Sequence, residues 1–354
     1  MHSSKQSPAR RHHTVPRFYL SGFSQDDRLG TIRLAGNSRF IQSTRDATVV
    51  KDFYTVTTDS GDSDIVEREL AAFEGNAAKV FKSIEDGVWP LPPEDRLILG
   101  YFITLQANRV PVERNNRNYL AQQVLRLKLG AGGKTGLRKR LERHGQAISD
   151  ESLDTLWEQA TGPGGLPIEH SKESHIKQTL TLAESLLPYV SGRPWCLIEF
   201  SRRSLLTSDT PVALIPDDHA GLNTGVGYAT AWGITFPLSR KKGLLISSPE
   251  PLIEANIPVD EVREGKFDLT RPGTTTLARF FNEQAIWNAS EAIYHHPEDT
   301  ALIPSELPPP RPVTSSASSE EYVFSGEPWL PQASSTSSLE SPWSSSDGSR
   351  RTDT

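Results

Sequence analysis

Five short stretches of this 354-residue chain carry the side chains that do chemistry: HHTVPRFYLSGF at 12–23, TLQANRVP at 104–111, LLTSDTPV at 205–212, FPLSRKKGLLIS at 236–247 and FNEQAIWNA at 281–289. An imidazole titrates near neutrality and serves as acid, base or metal ligand, which puts His13 first among the candidates. Asp209, in a Ser-Asp-Thr-Pro turn, can orient that imidazole, hold a cation, or close its own turn through backbone N–H groups. The rigid fork of Arg109, expected at a helix C-terminus, matches a phosphate or a carboxylate. Asn282 offers both a donor and an acceptor. Taken together, His13, Asp209 and Asn282 as catalytic groups, with Arg17, Gln106, Arg109 and Ser208 binding substrate, describe a phosphate- or phosphodiester-directed hydrolase, of which a nuclease is one form. His13 and Asp209 would also be the ligands of a divalent metal ion.

Each of these residues has a structural use as well. Arg109 can cap helical carbonyls, the Asp209 turn can serve only itself, and His13 can pin the N-terminal arm through a backbone carbonyl. A second reading therefore stays open: a non-catalytic binding or regulatory protein whose polar residues form a network locking the arm to the body.

Familiar reaction signatures are missing. The chain has no GxSxG elbow, no CxxC, no HExxH and no Rossmann glycine pattern. Its single cysteine, Cys196, sits in the apolar run PWCLIEF and reads as a buried, inert thiol. Glu199 is followed by Ser201 rather than by the lysine of a restriction-type core. The run LGAGGKTG at 129–136 fails as a phosphate loop, because five residues before Gly133 stands Lys128 and a helix, not a strand, precedes it. His170 and His175 are five apart, hence rotated by roughly 140° on a helix, and read as solvent-exposed rather than as joint metal ligands.

The elements that must position these groups follow from period and punctuation. LGTIRLA, RFIQS and DFYTV read as short strands of a small N-terminal β portion. From Asp64 the apolar spacing turns helical up to Gly87, Pro93 suits a first helical turn, and Pro111 should end or kink the next helix just past Arg109. A central helical block continues to Pro188. RPWCLIEFS, SLLTSD, PVALIP, WGITFPLS and GLLISS then read as a mostly antiparallel second sheet, and TTTLARFFNEQAIWNASEAIYHH as a closing helix. The expected fold is α+β, as one globular domain over 1–304.

Residues 305–354 are rich in Ser, Pro, Thr and Glu, a composition that cannot bury enough apolar surface to offset chain entropy, and read as a disordered tail. Within it, YVF at 322–324, WL at 329–330 and Trp343 are isolated aromatics suited to a short docking motif. Net charge is −6, so no global footprint for nucleic acid exists; residues 113–145 nevertheless hold nine Lys/Arg against two acids, a local surface for a phosphate-bearing ligand or nucleic acid. One cysteine, no long apolar run and no signal-peptide stretch lead to the expectation of a soluble, cytoplasmic protein without a membrane partner.

The five stretches, in this order, resemble the bacterial family known as domain of unknown function 4238: a His-x-Val-Pro arm, Gln-x-x-Arg-x-Pro at a helix end, a Ser-Asp-x-Pro turn, a Phe-Pro-Leu-Ser strand and an Asn-bearing helix. The resemblance covers about residues 11–296 and falls on His13, Gln106, Arg109, Pro111, Ser208, Asp209, Pro211 and Asn282. It implies no activity, and the tail lies outside it.

Overall fold

The N-terminal arm is held rather than frayed. In the computed structural model, which describes residues 11–58, 61–63, 65–162, 165–217, 226–310 and 324–328, strand β1 (Arg11–His13) leads through Pro16 into the short helix α1 (Arg17–Ser21). There Tyr19, Leu20 and Phe23 are fully buried, and Tyr19 stacks on Phe236 with ring centroids 5.2 Å apart. Its phenol donates to the Pro237 carbonyl at 2.8 Å, which explains why a tyrosine can occupy so apolar a place.

Strands β2 (Arg28–Arg33), β3 (Ser38–Ser43), β4 (Val49–Lys51), β5 (Val56–Thr58) and β6 (Gly61–Ser63) follow. Helices α2 (Ile65–Glu85), α3 (Pro93–Asn108), α4 (Pro111–Arg143), α5 (Asp150–Thr161) and α6 (Lys172–Ser191) form the central block. As the punctuation predicts, Pro93 opens α3, and Pro111 separates it from α4, leaving Arg109 as the C-cap. Then come β7 (Trp195–Glu199), β8 (Thr207–Ser208), β9 (Ala213–Ile215), β10 (Gly233–Ser239), β11 (Lys242–Ile246), α7 (Glu250–Glu254), α8 (Val259–Arg263), β12 (Leu269–Pro272), α9 (Thr275–Asn288) and β13 (Ala292–His295). The protein is thus α+β.

The larger sheet has the order β12-β7-β11-β10-β9, antiparallel except for the parallel pair β12 and β7. β10 is buried at every position, as a central strand between covered faces must be. A second sheet, β3-β2-β13-β8, joins chain ends that lie far apart in sequence. Gly30 is required in it, since a Cβ there would come within 2.1 Å of the His295 ring on the neighbouring strand.

Three expectations need correction. DFYTV is not a strand along its length, because Asp52 takes a left-handed φ of 55° and turns the chain, and β5 begins only at Val56. The closing helix ends at Asn288, and AIYH is a strand between β2 and β8, because the N–H groups of Ser290, Glu291 and Ala292 turn out of the helix to the Asp209 carboxylate. His170 precedes α6 instead of lying on it, and His175 is buried rather than exposed, edge-on to Phe53.

The described residues group into two compact units, 11–118 with 169–310, and 119–168 with 324–328. Sequence composition draws its boundary at 304/305. Most of the tail, 311–323 and 329–354, lies outside the described residues, and the expectation of disorder lies there with it.

Candidate functional site

One carbonyl gathers the arm and the helix end. Thr14 O accepts from Gln106 Nε2 at 3.0 Å and from Arg109 Nε at 3.1 Å, and Gln106 Oε1 accepts from the same Arg109 Nε at 2.8 Å. Arg109 Nη1 meets Glu74 Oε1 of α2 at 2.7 Å. The guanidinium is 1% exposed, and its Nη2 has no partner among the described residues. Burial works against its charge, but the pKa is raised on balance, with Glu74 the leading cause in that direction.

His13, half-buried beside this group, has Nδ1 3.1 Å from Ala47 O. A carbonyl only accepts, so Nδ1 carries the proton of the neutral ring and Nε2 keeps its lone pair. Burial lowers the His13 pKa, against the opposing pull of the Ala47 carbonyl and of Glu74. The neighbouring His12 is fully buried, and its Nδ1 accepts from the Tyr54 N–H at 2.8 Å. That bond fixes the backbone of Tyr54, whose own hydroxyl is buried with no partner among the described residues. Burial raises the Tyr54 phenol far above its ordinary value, so it stays a donor.

Arg109 and Tyr54 line a cavity of about 290 Å³. Its walls come from three helices: Val66, Leu70 and Phe73 of α2, Leu105 of α3, and Ile176 and Leu180 of α6. Ile65, Glu69, Tyr101 and Thr179 complete the lining, and the Thr179 hydroxyl is already engaged by Arg117 Nη1 at 3.2 Å. The amphipathic faces that build the core thus leave an apolar pocket, and two of its lining residues, Arg109 and Tyr54, each keep one buried donor without a partner among the described residues.

Asp209, Ser208 and Asn282 form a different cluster. Asp209 Oδ1 accepts from Ser290 N at 3.0 Å and Ala292 N at 3.3 Å, and Oδ2 from Glu291 N at 2.9 Å. Burial pushes its carboxyl up to about 6 in spite of these three donors. The buried Ser208 Oγ accepts from Thr210 N at 3.3 Å. Asn282 Oδ1 accepts from Leu206 N at 2.8 Å while its Nδ2 donates to Ser204 O at 3.1 Å. Both ends of that amide are therefore occupied by the backbone that leads into β8. Arg17 turns to Asp27 Oδ2 at 2.5 Å and Thr44 Oγ1 at 3.3 Å. His13 and Asp209 share no hydrogen bond or ion pair, and among the described residues no group of three His, Cys, Asp or Glu stands together as metal ligands would.

Within the basic stretch, Arg117 Nη2 donates to Asn108 O, Arg126 Nε to Thr161 O, Lys134 pairs with Asp154, and Arg138 with Asp150. Arg140 and Arg143 line a depression with His144. Burial raises the thiol of the half-buried Cys196, so it remains protonated at neutral pH. No helix of the described residues is long and apolar enough to cross a membrane.

The sequence singles out Gln106, Arg109 and His13 but misses Glu74, Tyr54 and the cavity. Glu74 looks like any solvent-facing acid of α2, and no local spacing signals its pairing 35 residues on. Tyr54 lies in the DFYTV run, where an aromatic reads simply as a strand former.

The model of the family described as "Protein of unknown function (DUF4238)" matches residues 11–299, and the chain belongs to that family. No curated protein and no solved structure matches it.

Proposed function

We propose that this member of the DUF4238 family is a binding protein for a compact apolar carboxylate. The observation that carries the reading is the apolar cavity of about 290 Å³ whose lining includes two buried groups with unused donors, Arg109 Nη2 and Tyr54 Oη. Its volume stands at the small end of ligand pockets, about 300–1,000 Å³. A carboxylate seated against both residues would accept from the guanidinium and the phenol, and its bond to a guanidinium is roughly twice as strong as a neutral one. The apolar walls take up the rest of the molecule.

Octanoate is a suitable probe, with 1-octanol as the uncharged control. Octanoate raises the melting temperature in a concentration-dependent way, as binding to the folded state alone requires, and 1-octanol does so far less. Tyr54→Phe removes an unpaired hydroxyl, so it leaves the unliganded protein as stable as before or slightly more so. It weakens octanoate about tenfold, which corresponds to about 1.4 kcal/mol. Equal octanoate affinity in Tyr54→Phe and wild type, or no stabilisation of either, overturns the reading.

Phosphate- or phosphodiester-directed hydrolysis is the second reading of the same place, favoured by the free Nε2 of a neutral His13 beside Arg109. Here Arg109 would hold the phosphoryl group and His13 would take the proton from an attacking water. Asp209 and Asn282, occupied by backbone groups, take no part. Bis(p-nitrophenyl) phosphate tests it: turnover that His13→Gln removes supports it, and no turnover by wild type retires it. For contact with nucleic acid through residues 113–145, the depression lined by Arg140, Arg143 and His144 offers one place.

A further inference from the structure

The glycine-rich run of α4 has no role in a phosphate loop, yet two of its glycines lie where nothing larger fits. A Cβ on Gly130 would stand 2.2 Å from the ring of Phe324. Gly133 interrupts the helix with φ +63°, and a Cβ there would stand 2.6 Å from Pro328 N and 2.7 Å from Gly326 O. The crossing chain is the short tail segment Phe324–Pro328, written FSGEP. At the break, the Lys134 N–H donates to Gly326 O at 2.7 Å. A helix interrupted at Gly133 releases main-chain donors, and the tail takes one of them.

The side chains agree with the backbone. Phe324 packs on the cluster of Leu129, Leu137, Leu153 and Trp157, with the Arg126 guanidinium 5.8 Å from its ring centroid. Gly326 has φ +92°, and a Cβ on it would meet the Lys134 side chain at 3.2 Å. Glycine is therefore required on both sides of the contact. An aromatic anchor in a slot, one main-chain bond and a close backbone crossing are the means by which domains read short peptides.

We propose that the helical unit of residues 119–168 is a peptide-recognition site and that Phe324–Pro328 is its tethered ligand. The site reads an aromatic residue at the slot over Gly130 and a glycine two positions on. Tethering sets an effective concentration in the millimolar range for linkers that span the sites, so the chain's own segment occupies the site ahead of the same sequence supplied in trans.

The test uses full-length protein and a fluorescein-labelled synthetic peptide of residues 320–332, followed by anisotropy. Phe324→Ala empties the slot from the tail side without touching the helices. The peptide binds this variant and binds wild type at least tenfold more weakly, because the wild-type site is filled in cis. Two altered peptides, one with Phe324→Ala and one with Gly326→Val, lose at least tenfold in affinity for the Phe324→Ala protein. Since these changes are in the peptide, no folding defect can imitate the result. Failure of the unaltered peptide to bind the Phe324→Ala protein, equal binding to both proteins, or indifference to Gly326→Val each overturns the proposal.

Discussion

Arg96→Ala is expected to destabilise the protein by about 3–5 kcal/mol, the usual consequence of removing one partner of a buried ion pair. Arg96 Nε stands 2.7 Å from Asp268 Oδ2, with the two side chains 1% and 0% exposed. Its remaining donors serve the Ser191 and Arg193 carbonyls, each at 2.8 Å, the Arg263 carbonyl at 3.3 Å and Asp268 Oδ1 at 3.2 Å, and its guanidinium stacks 4.1 Å from the Trp195 ring. Asp268 also accepts the Trp195 N–H at 2.9 Å. One side chain therefore ties α3 to the end of α6, to the start of β7 and to the residue before β12. Alanine would leave the Asp268 carboxylate and the Ser191, Arg193 and Arg263 carbonyls without these donors, and the stacked apolar stem would be lost with the charge. Arg96→Lys should recover only part of the loss, since an ammonium cannot reproduce the planar fork. The difference in urea midpoint among wild type, Arg96→Ala and Arg96→Lys measures both effects. A loss below about 1 kcal/mol for Arg96→Ala would mean that the pair behaves like an exposed one.

Arg96 also marks where local reading of this sequence stops. In PPEDRLILGYF it looks like one more polar residue of a helix's first turns, and its partner stands 172 positions away. What periodicity and punctuation do carry is accurate: α2 up to Gly87, Pro93 at the head of α3, Pro111 between α3 and α4, and the buried β10 all follow from short-range pattern. The strand β13 does not, because nothing within IYHH overrules the helical period before it. The stop comes from Asp209, which takes three N–H groups just past α9 and holds the chain in line with β2 and β8.

The candidate site divides on the same principle. Local chemistry picks out Gln106 and Arg109, three apart and hence on one face of a helix. The arm residue Thr14 then supplies the carbonyl they share. Asp209 and Asn282 are just as polar in sequence, but their donors and acceptors are consumed by backbone, and only the folded geometry shows it. The family-type segments meet where the arm joins α3, where its Tyr19 packs on β10, and where β8 joins α9, with the unused hydrogen-bonding capacity concentrated at the first. That capacity, in Arg109 and Tyr54, is the part of the site no spacing rule could reveal, since it depends on partners that are missing among the described residues.

His175 yields the second large effect, in the pH dependence of stability. Its Nε2 is buried with no partner among the described residues, and the ring lies in the first turn of α6, where the helix dipole opposes a positive charge. Burial lowers its pKa to about 3, assisted by the nearby Arg117, Arg114 and His170. The unfolded chain binds this proton with a pKa of about 6.5. A depressed histidine therefore contributes stability that is fully present above about 6.5 and is lost as pH falls toward 3, because only the unfolded state gains the proton on the way down. Between pH 7.5 and 5.0 the loss from this residue is on the order of 2 kcal/mol. Burial lowers His13, His295 and His296 as well, and they act in the same direction, while the raised carboxyl of Asp209 acts oppositely as pH falls through 6. All four are present in both wild type and His175→Phe, so the difference between the two proteins isolates His175. Phenylalanine keeps a ring against Phe53 and removes the titration. Urea denaturation of both proteins at pH 7.5 and pH 5.0 should show wild type losing about 2 kcal/mol more than the variant over that interval. Parallel losses would mean that His175 takes up its proton in the folded state with ordinary affinity, and that the first turn of α6 opens readily enough to admit water to the ring.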